Sequence, residues 1–169
     1  SPGVPLHIPI LNMTRAAGVK IIGEIELAYS ITDTPFIGVT GTNGKTTTTS
    51  MIGHILKECG VSVLVGGNIG KPLVDSVTDF HGDYIVAELS SFQLESCVTF
   101  RPRVAVYLNL TPDHLDRHGD MDGYAAAKEK IFAQQKKDDF AVLNLDDEYI
   151  KRAAEHICAR KFWFSLHLK

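Results

Sequence analysis

The chain has 169 residues, 44% of them hydrophobic and 22% charged, and its formal net charge at pH 7 is -3. This composition is typical of one globular domain, and the acidic balance argues against a basic surface for nucleic acid or an anionic membrane. Apolar runs are shorter than the roughly 20 residues that span a bilayer, no signal peptide is visible, and three scattered cysteines (Cys59, Cys97 and Cys158) predict a reduced, cytoplasmic protein.

The first 34 residues differ in texture from the rest, with three prolines among the first nine positions. We predict that residues 1–34 are the end of a preceding domain plus a connector, and that residues 35–169 form an incomplete main domain. The chain starts at Ser1 without a methionine and ends in a strand-like run at 161–165, which indicates a piece of a longer protein.

From residue 36 onward, apolar runs rich in β-formers alternate with helical patterns, which is typical of βαβ units. Strands are predicted at 36–40, 61–65, 84–89, 104–108, 140–143 and 161–165, and helices at 46–59, 121–135 and 147–158. The strand at 104–108 is almost continuously apolar, which suits a sheet covered on both faces. The predicted fold class is α/β, a doubly wound parallel sheet, in which ligands bind beyond the carboxyl ends of the strands.

The first predicted strand ends in a glycine-rich segment, Thr40-Gly41-Thr42-Asn43-Gly44-Lys45-Thr46-Thr47. Glycines let backbone N–H groups converge on phosphate oxygens, and the N-terminus of the following helix adds a positive dipole end. Lys45 would neutralise the β- and γ-phosphates of ATP, and the Thr46 hydroxyl would bind Mg²⁺. Val39 stands where the common phosphate-loop pattern has its first glycine, and the alternative is a glycine-rich turn with a stray lysine.

The helix after this loop carries its apolar residues at helical spacing. Met51, Ile52, Ile55 and Leu56 are therefore predicted to be its buried stripe. Gly60 follows at the position where a left-handed C-terminal cap is expected.

Two further polar motifs follow predicted strands. Glu88 ends the third strand, and a carboxylate beside a phosphate loop is a ligand that Mg²⁺ prefers, although a solvated strand-end glutamate is the alternative. The run Asp113-His114-Leu115-Asp116-Arg117-His118 follows the fourth strand. No further His or Cys cluster completes a zinc or iron site there, so the run is either a polar loop or part of the nucleotide and metal site.

Lys128 is the most informative single residue. On the helix from Met121 it shares a face with Tyr124, Ile131 and Phe132, while Glu129, Lys130 and Lys137 lie off that face. Burial lowers the pKa of a lysine, and a neutral amine can react with CO₂ to form a carbamate anion. The alternative is a lysine that reaches solvent at the edge of the helix.

Several of these segments together resemble the Mur ligase superfamily, which includes the folylpolyglutamate synthetases. The segments are Gly41-Thr42-Asn43-Gly44-Lys45-Thr46, Gly67-Asn68-Ile69-Gly70, Glu88-Leu89-Ser90-Ser91-Phe92-Gln93-Leu94-Glu95 and Asp113-His114-Leu115-Asp116-Arg117-His118. The last three resemble the branch that joins D-glutamate to UDP-N-acetylmuramoyl-L-alanine in bacterial peptidoglycan synthesis. The resemblance runs from Ser1 to about Ser165.

The resemblance implies an ATP-dependent reaction through an acyl phosphate, with two Mg²⁺ ions and a carbamylated Lys128. It implies that Lys45, His114 and Lys128 are catalytic and that Thr46, Glu88, His114 and Lys128 bind metal. It further implies ATP contacts from Gly41, Thr42, Asn43, Gly44, Lys45, Thr46 and Thr47, and substrate contacts from Ser1, Gly3, Asn68, Ser90 and Gln93.

The same resemblance implies which domains of the family this chain contains. Residues 1–34 would be the remnant of a UDP-binding domain with its linker, residues 35–169 an incomplete central ATP-binding domain, and the C-terminal domain would be absent. The loop between His114 and Lys128 is one residue shorter than is usual in the family. We expect a full-length protein that is a monomer, with no nucleic-acid partner and no membrane span, and a fragment that is inactive by itself. A folylpolyglutamate synthetase-like ligase and a non-catalytic nucleotide-binding module remain alternatives.

Overall fold

The computed structural model of the chain describes residues 4–6, 8–70 and 72–167. In chain order the elements in these ranges are α1 (Pro9–Ala16), α2 (Glu24–Ser30), β1 (Phe36–Thr40), α3 (Lys45–Glu58), β2 (Val63–Gly67), α4 (Val74–Val77), β3 (Tyr84–Glu88), α5 (Ser91–Glu95), β4 (Val104–Tyr107), α6 (Leu115–His118), α7 (Met121–Glu129), β5 (Phe140–Asn144), α8 (Glu148–Ala154) and β6 (Arg160–Phe164). A 3-10 turn at Lys130–Phe132 follows α7. No helix in these ranges is long and apolar enough to cross a membrane.

The strands form one parallel sheet in the order β2-β3-β1-β4-β5-β6, which confirms the predicted fold class. The central strand β1 has β3 on one side and β4 on the other, so the direction of winding reverses there. The carboxyl ends meet at one edge, since Val39 is level with Glu88, Thr40 with Tyr107, and Gly67 with Glu88. In such sheets this edge, beside the reversal, is the position of the ligand site.

The end of α3 explains why β2 begins two residues later than predicted. Gly60 has φ +78°, and its N–H donates to the Lys57 carbonyl, while the Val61 N–H donates to the Leu56 carbonyl. This pair of bonds is a Schellman cap, which confirms the predicted role of Gly60. Val61 is therefore part of the helix cap and cannot be the first residue of the strand.

The predicted buried stripe of α3 is wrong in two positions. Met51 and Ile55 are 56% and 53% exposed, whereas Thr49 and Gly53 are the buried residues of this helix. A Cβ atom added at Gly53 would lie 2.4 Å from Val65 Cγ2, so the helix approaches β2 too closely for a side chain. Ile52 and Leu56, the other two residues of the predicted stripe, are partly buried and pack against the cluster of Ile37, Val63 and Val86. The side of α3 that faces the sheet therefore carries both small and apolar residues.

Part of the segment predicted as a connector is a packed helix. In α2, Ile25 and Ala28 are buried in the main core together with Phe36 and Phe100. Tyr29 makes edge-to-face contacts with both of these rings at centroid distances of 5.8 and 5.4 Å. The domain boundary at residues 34 and 35 stays a prediction, but α2 packs on the sheet and is no loose linker.

The buried carboxylate of Glu26 connects α2 by hydrogen bonds to residues 98–100, which precede β4. Glu26 is 1% exposed and accepts hydrogen bonds from the N–H groups of Val98, Thr99 and Phe100 and from the Thr99 hydroxyl. Burial by itself would raise the pKa of Glu26, but the hydrogen bonds from Thr99, Val98 and Phe100 outweigh it and lower the pKa below its ordinary value of 4.5. Glu26 is thus held as an anion.

Replacing this carboxylate should destabilise the chain in a pH-dependent way. We expect Glu26→Gln to lower the free energy of unfolding near pH 7 by about 2–3 kcal/mol, because hydrogen bonds to a charged group are the stronger kind. A lowered pKa stabilises the folded state above the ordinary pKa, so the difference from wild type should shrink as the pH falls below 4.5. Urea denaturation between pH 3 and pH 8 measures this, with the exposed Glu58→Gln as control; a pH-independent difference would contradict it.

Candidate functional site

The loop between β1 and α3 has the geometry of a phosphate loop. Gly41 and Gly44 have φ values of +152° and +79°, and a Cβ atom at Gly41 would lie 3.0 Å from Leu108 Cβ. Gly44 is the N-cap of α3, and no side chain caps the helix. Among the described residues, the N–H groups of Lys45, Thr46 and Thr47 have no acceptor. These unpaired donors at the positive end of a 14-residue helix are suited to bind an anion.

The Lys45 side chain lies over the same loop. Its amine donates to the Thr42 carbonyl oxygen at 2.8 Å. The amine is thereby held beside the free N–H groups at the start of α3, which is the position that a phosphate-binding lysine needs. The binding of ATP phosphates by this loop stays a prediction.

Glu88 lies next to Thr46, as the sequence led us to expect. The Thr46 hydroxyl donates to Glu88 Oε2 at 2.7 Å, and the Asn68 amide donates to Glu88 Oε1 at 3.0 Å. Glu88 is 2% exposed, which excludes the solvated strand-end alternative. Gly67 lets β2 approach the backbone of Glu88 closely, because a Cβ atom at Gly67 would lie 2.3 Å from the Glu88 carbonyl oxygen.

The Glu88 carboxylate and the Thr46 hydroxyl are suited to bind a magnesium ion. Its buried carboxylate is bound only by neutral partners in the part of the chain that the structure describes, so its negative charge is uncompensated. A hydroxyl and a carboxylate beside a phosphate-binding loop are hard oxygen ligands of the kind that Mg²⁺ takes. No group of three or more His, Cys, Asp or Glu residues suited to a metal occurs in the described ranges.

Asn109, directly after β4, shapes the phosphate loop and was missed by the sequence analysis. Its side-chain oxygen accepts from the Asn43 N–H at 2.9 Å, and its amide donates to the Asn43 carbonyl at 3.0 Å. Its own carbonyl accepts from the Thr42 N–H at 3.0 Å. An asparagine after an apolar strand has no distinctive pattern, so only the pairing of β1 with β4 reveals this contact.

The segment with Asp113 and His114 is tied to the same loop. The Thr111 N–H donates to the Thr42 hydroxyl at 3.1 Å, and the Asn43 amide donates to the Thr111 hydroxyl at 3.2 Å. His114 follows with φ +51°, and its side chain is 46% exposed. Its ring centroid lies 6.1 Å from that of Tyr124 on α7. The histidine therefore lies at the loop edge of the sheet, as the predicted nucleotide and metal site requires.

Lys128 is buried, which decides between the two alternatives that its helical position left open. It is 1% exposed, which excludes a side chain that reaches solvent. Its amine donates to the Gly41 carbonyl at 2.7 Å and lies 4.7 Å from the centroid of the Tyr124 ring. Burial, with a smaller contribution from the Lys45 charge, lowers the pKa of Lys128 to about 7, against an opposing effect of Asp113. A substantial fraction of this amine is neutral near physiological pH.

The structure describes three of the five residues that are predicted to contact the substrate. Ser90 and Gln93 form the capping box of α5, since the Ser90 hydroxyl accepts from the Gln93 N–H and the Gln93 side-chain oxygen accepts from the Ser90 N–H. Asn68 holds Glu88. Ser1 and Gly3 lie outside the described residues. Substrate binding by these five residues stays a prediction.

Comparisons with known proteins agree with this geometry. The family model "Mur ligase middle domain" matches residues 39–167. UDP-N-acetylmuramoylalanine--D-glutamate ligases from Pelotomaculum thermopropionicum and Clostridioides difficile are 53% and 49% identical over 166 and 167 residues, which is 98% of this chain in each case. The chain spans only 36% and 37% of the length of these two relatives.

Solved structures show the same fold. A UDP-N-acetylmuramoyl-L-alanyl-D-glutamate--2,6-diaminopimelate ligase matches with a TM-score of 0.67 and 26% identity, over 86% of this chain and 34% of that one. The MurF ligase from Thermotoga maritima in complex with ADP matches with a TM-score of 0.67 and 22% identity, over 85% of this chain and 35% of that one.

The loop geometry predicts a strong effect of Lys45→Ala on ATP affinity. We expect the dissociation constant of ATP in the full-length protein to rise about 10-fold to 100-fold, because a charge-assisted hydrogen bond is lost. Isothermal titration calorimetry measures it. Lys57→Ala, an exposed lysine at the other end of α3, should bind ATP like wild type. Unchanged affinity in Lys45→Ala would contradict the assignment of the loop.

Proposed function

Because the chain belongs to the Mur ligase middle domain family, we propose that it is part of an ATP-dependent ligase that joins D-glutamate to UDP-N-acetylmuramoyl-L-alanine in peptidoglycan synthesis. The curated relatives named above carry this activity in their names. The observation that carries the proposal is the meeting of the phosphate loop, Glu88, His114 and Lys128 at one edge of the sheet.

The proposed chemistry is acyl activation followed by amide formation. A carboxylate oxygen of the alanyl group attacks the γ-phosphorus of ATP, the bond to the bridging oxygen breaks, and ADP and an acyl phosphate form. The amine of D-glutamate then attacks the acyl carbon, loses a proton, and the tetrahedral intermediate collapses with release of phosphate. Both steps bring anionic oxygens together, so they depend on positioning and on neutralisation of charge.

Within this scheme the residues of the loop have separate roles. The amine of Lys45 and the free N–H groups at the start of α3 bind the phosphates of ATP. Thr46 and Glu88 would hold the first Mg²⁺, and His114 with a carbamylated Lys128 would hold the second. When bound, these ions supply positive charge to the crowded phosphate oxygens.

Lys128 is suited to carbamylation because its buried amine is partly neutral near pH 7. The amine nitrogen attacks the carbon of CO₂, a proton is released, and the cation is replaced by a carbamate anion. The Gly41 carbonyl accepts a hydrogen bond from this nitrogen, and the N–H that a carbamate retains can donate the same bond.

The remaining partners follow from the same proposal. Asn68, Ser90 and Gln93, and Ser1 with Gly3, contact the UDP-muramoyl substrate, while residues beyond this chain bind D-glutamate and the adenine of ATP. The enzyme acts as a monomer in the cytoplasm, where ATP is available and where the free thiols of Cys59, Cys97 and Cys158 persist.

The substrate assignment is tested by phosphate release from the full-length protein. We expect release with ATP, UDP-N-acetylmuramoyl-L-alanine and D-glutamate together, and none when D-glutamate is replaced by L-glutamate. Release with a folate and L-glutamate instead would favour a folylpolyglutamate synthetase-like ligase. No release with either set, while ATP still binds, would favour a non-catalytic nucleotide-binding module.

The role of Lys128 predicts a chemical rescue. Lys128→Ala in the full-length protein should lose most ligase activity, and formate or acetate in the buffer should partly restore it by supplying the missing carboxylate. Phosphate release over a range of acetate concentrations measures this. The exposed Lys137→Ala is the control and should neither lose activity nor respond to acetate. A Lys128→Ala variant that is fully active without carboxylate would refute the carbamate.

A further inference from the structure

A stack of flat side chains leads from α5 to the buried lysine. The Arg117 guanidinium lies 5.0 Å from the centroid of the Phe92 ring, and Phe92 stacks on His118 at 5.6 Å with an interplanar angle of 21°. His118 stacks in turn on Tyr124 at 5.1 Å and 29°. The amine of Lys128 lies 4.7 Å from the centroid of the Tyr124 ring, and His114 lies beside the stack, 4.8 Å from Phe92 and 6.1 Å from Tyr124. We call Phe92, His118 and Tyr124 the aromatic stack.

His118 is the middle layer of the aromatic stack and is held in its plane by polar contacts. Its Nε2 lies 3.0 Å from the Ser91 hydroxyl, and its Nδ1 lies 3.4 Å from a carboxylate oxygen of Glu95. Both partners belong to α5, and the His118 side chain is only 4% exposed. The ring is therefore fixed against α5 by its edge and against α7 by its face.

The order Ser91, His118, Glu95 resembles that of a hydrolytic triad, but the surroundings exclude such a role. Ser91 is 1% exposed, so its hydroxyl cannot reach a substrate. The two faces of the histidine ring are covered by Phe92 and Tyr124. A nucleophile needs space for the tetrahedral intermediate beside it, and none is available here. The contacts orient the histidine ring.

We propose that His118 is a positioning residue of the ligase site, and that its ring sets the place of Tyr124 and thereby of the Lys128 amine at the phosphate loop. This inference rests on the proposed function. Tyr124 touches the loop as well, since its hydroxyl lies 3.4 Å from the Thr42 hydroxyl. Without the middle ring, Tyr124 loses its stacked partner and keeps only the edge contact with His114, so the ring can shift and the Lys128 amine can move away from the Gly41 carbonyl.

The ring, rather than its two nitrogens, supplies this support. Glu95 has a closer partner in Arg117, whose guanidinium lies 2.6 Å from it, so the carboxylate stays paired without the histidine. Centroid distances in the aromatic stack lie within the range of about 4.5–7 Å that aromatic pairs prefer. A phenylalanine at position 118 therefore preserves the positioning, and a side chain without a flat ring does not.

Steady-state kinetics of the full-length protein test the inference with His118→Ala, His118→Phe and, as a matched control, the exposed His54→Ala on α3. We expect His118→Ala to lower kcat about 10-fold to 100-fold, as a displacement of about 1 Å in a catalytic group does. The KM for ATP should rise by a smaller factor than kcat falls, since His118 contacts neither Lys45 nor the N–H groups at the start of α3, and Tyr124 meets the loop at the Thr42 hydroxyl. His118→Phe should stay within about threefold of wild type, and His54→Ala should be unchanged.

Amine labelling tests the same inference without any ligase activity. Lys128 is labelled with acetic anhydride in bicarbonate-free buffer, so that its amine is free, and peptide mass spectrometry gives the rate. Labelling should be faster in His118→Ala than in wild type and near the wild-type rate in His118→Phe. The exposed Lys137 should be labelled equally in all variants. If His118→Ala does not fold by circular dichroism, His118→Leu replaces it.

The outcomes separate the two proposals. Unchanged kcat and unchanged Lys128 labelling in His118→Ala, or a His118→Phe variant as impaired as His118→Ala, would overturn the positioning role. A wild-type protein without ligase activity would refute the proposed function, and the labelling rates would then still decide whether the aromatic stack places Lys128.

Discussion

The hydrogen bond from the buried Lys128 amine to the Gly41 carbonyl joins the two parts of the chain that make the site. It links α7 to the phosphate loop, which lies 87 residues earlier in the sequence. An amine is costly to bury unless its donors are satisfied, so α7 can keep this lysine inside only while the loop carbonyl is within reach. Burial, with a smaller contribution from the Lys45 charge, lowers the pKa of Lys128 to about 7, so the hydrogen bond sets the position of the amine and its surroundings set its reactivity.

Two buried glutamates show how the same side chain is used in opposite ways. Glu26 accepts from three backbone N–H groups and a hydroxyl, which satisfies the carboxylate and makes it a fastener for α2. Within residues 4–6, 8–70 and 72–167, Glu88 has only the Thr46 hydroxyl and the Asn68 amide as partners, and it lies beside N–H groups at the start of α3 that have no acceptor there. Its surplus charge is the feature that suits a cation next to phosphate oxygens.

The chain segment after β4 holds the phosphate loop in its conformation. Asn109 and Thr111 hold the backbone and side chains of Thr42 and Asn43, and the same segment continues into His114. Because β4 pairs directly with β1, the segment after β4 lies next to the loop that follows β1. The conformation of the phosphate loop is therefore fixed by hydrogen bonds from the segment after β4. Its glycines allow this conformation but do not impose it.

Local spacing was sufficient to predict the strands to within two residues at each end, the loop from Gly41 to Thr46, the cap at Gly60 and the place of Lys128 on the apolar face of its helix. Each of these depends on residues a few positions apart, but the spacing left open whether Lys128 is buried or reaches solvent. Local spacing did not predict which residues of α3 are exposed, that α2 packs on the sheet, or that Asn109 forms hydrogen bonds to the phosphate loop. Gly53 lies against Val65, Glu26 binds residues more than 70 positions away, and Asn109 binds Asn43 across 66 positions. Such contacts exist only when the sheet has brought distant segments together, so hydrophobicity and periodicity along the chain carry no record of them, and tertiary structure alone decided them.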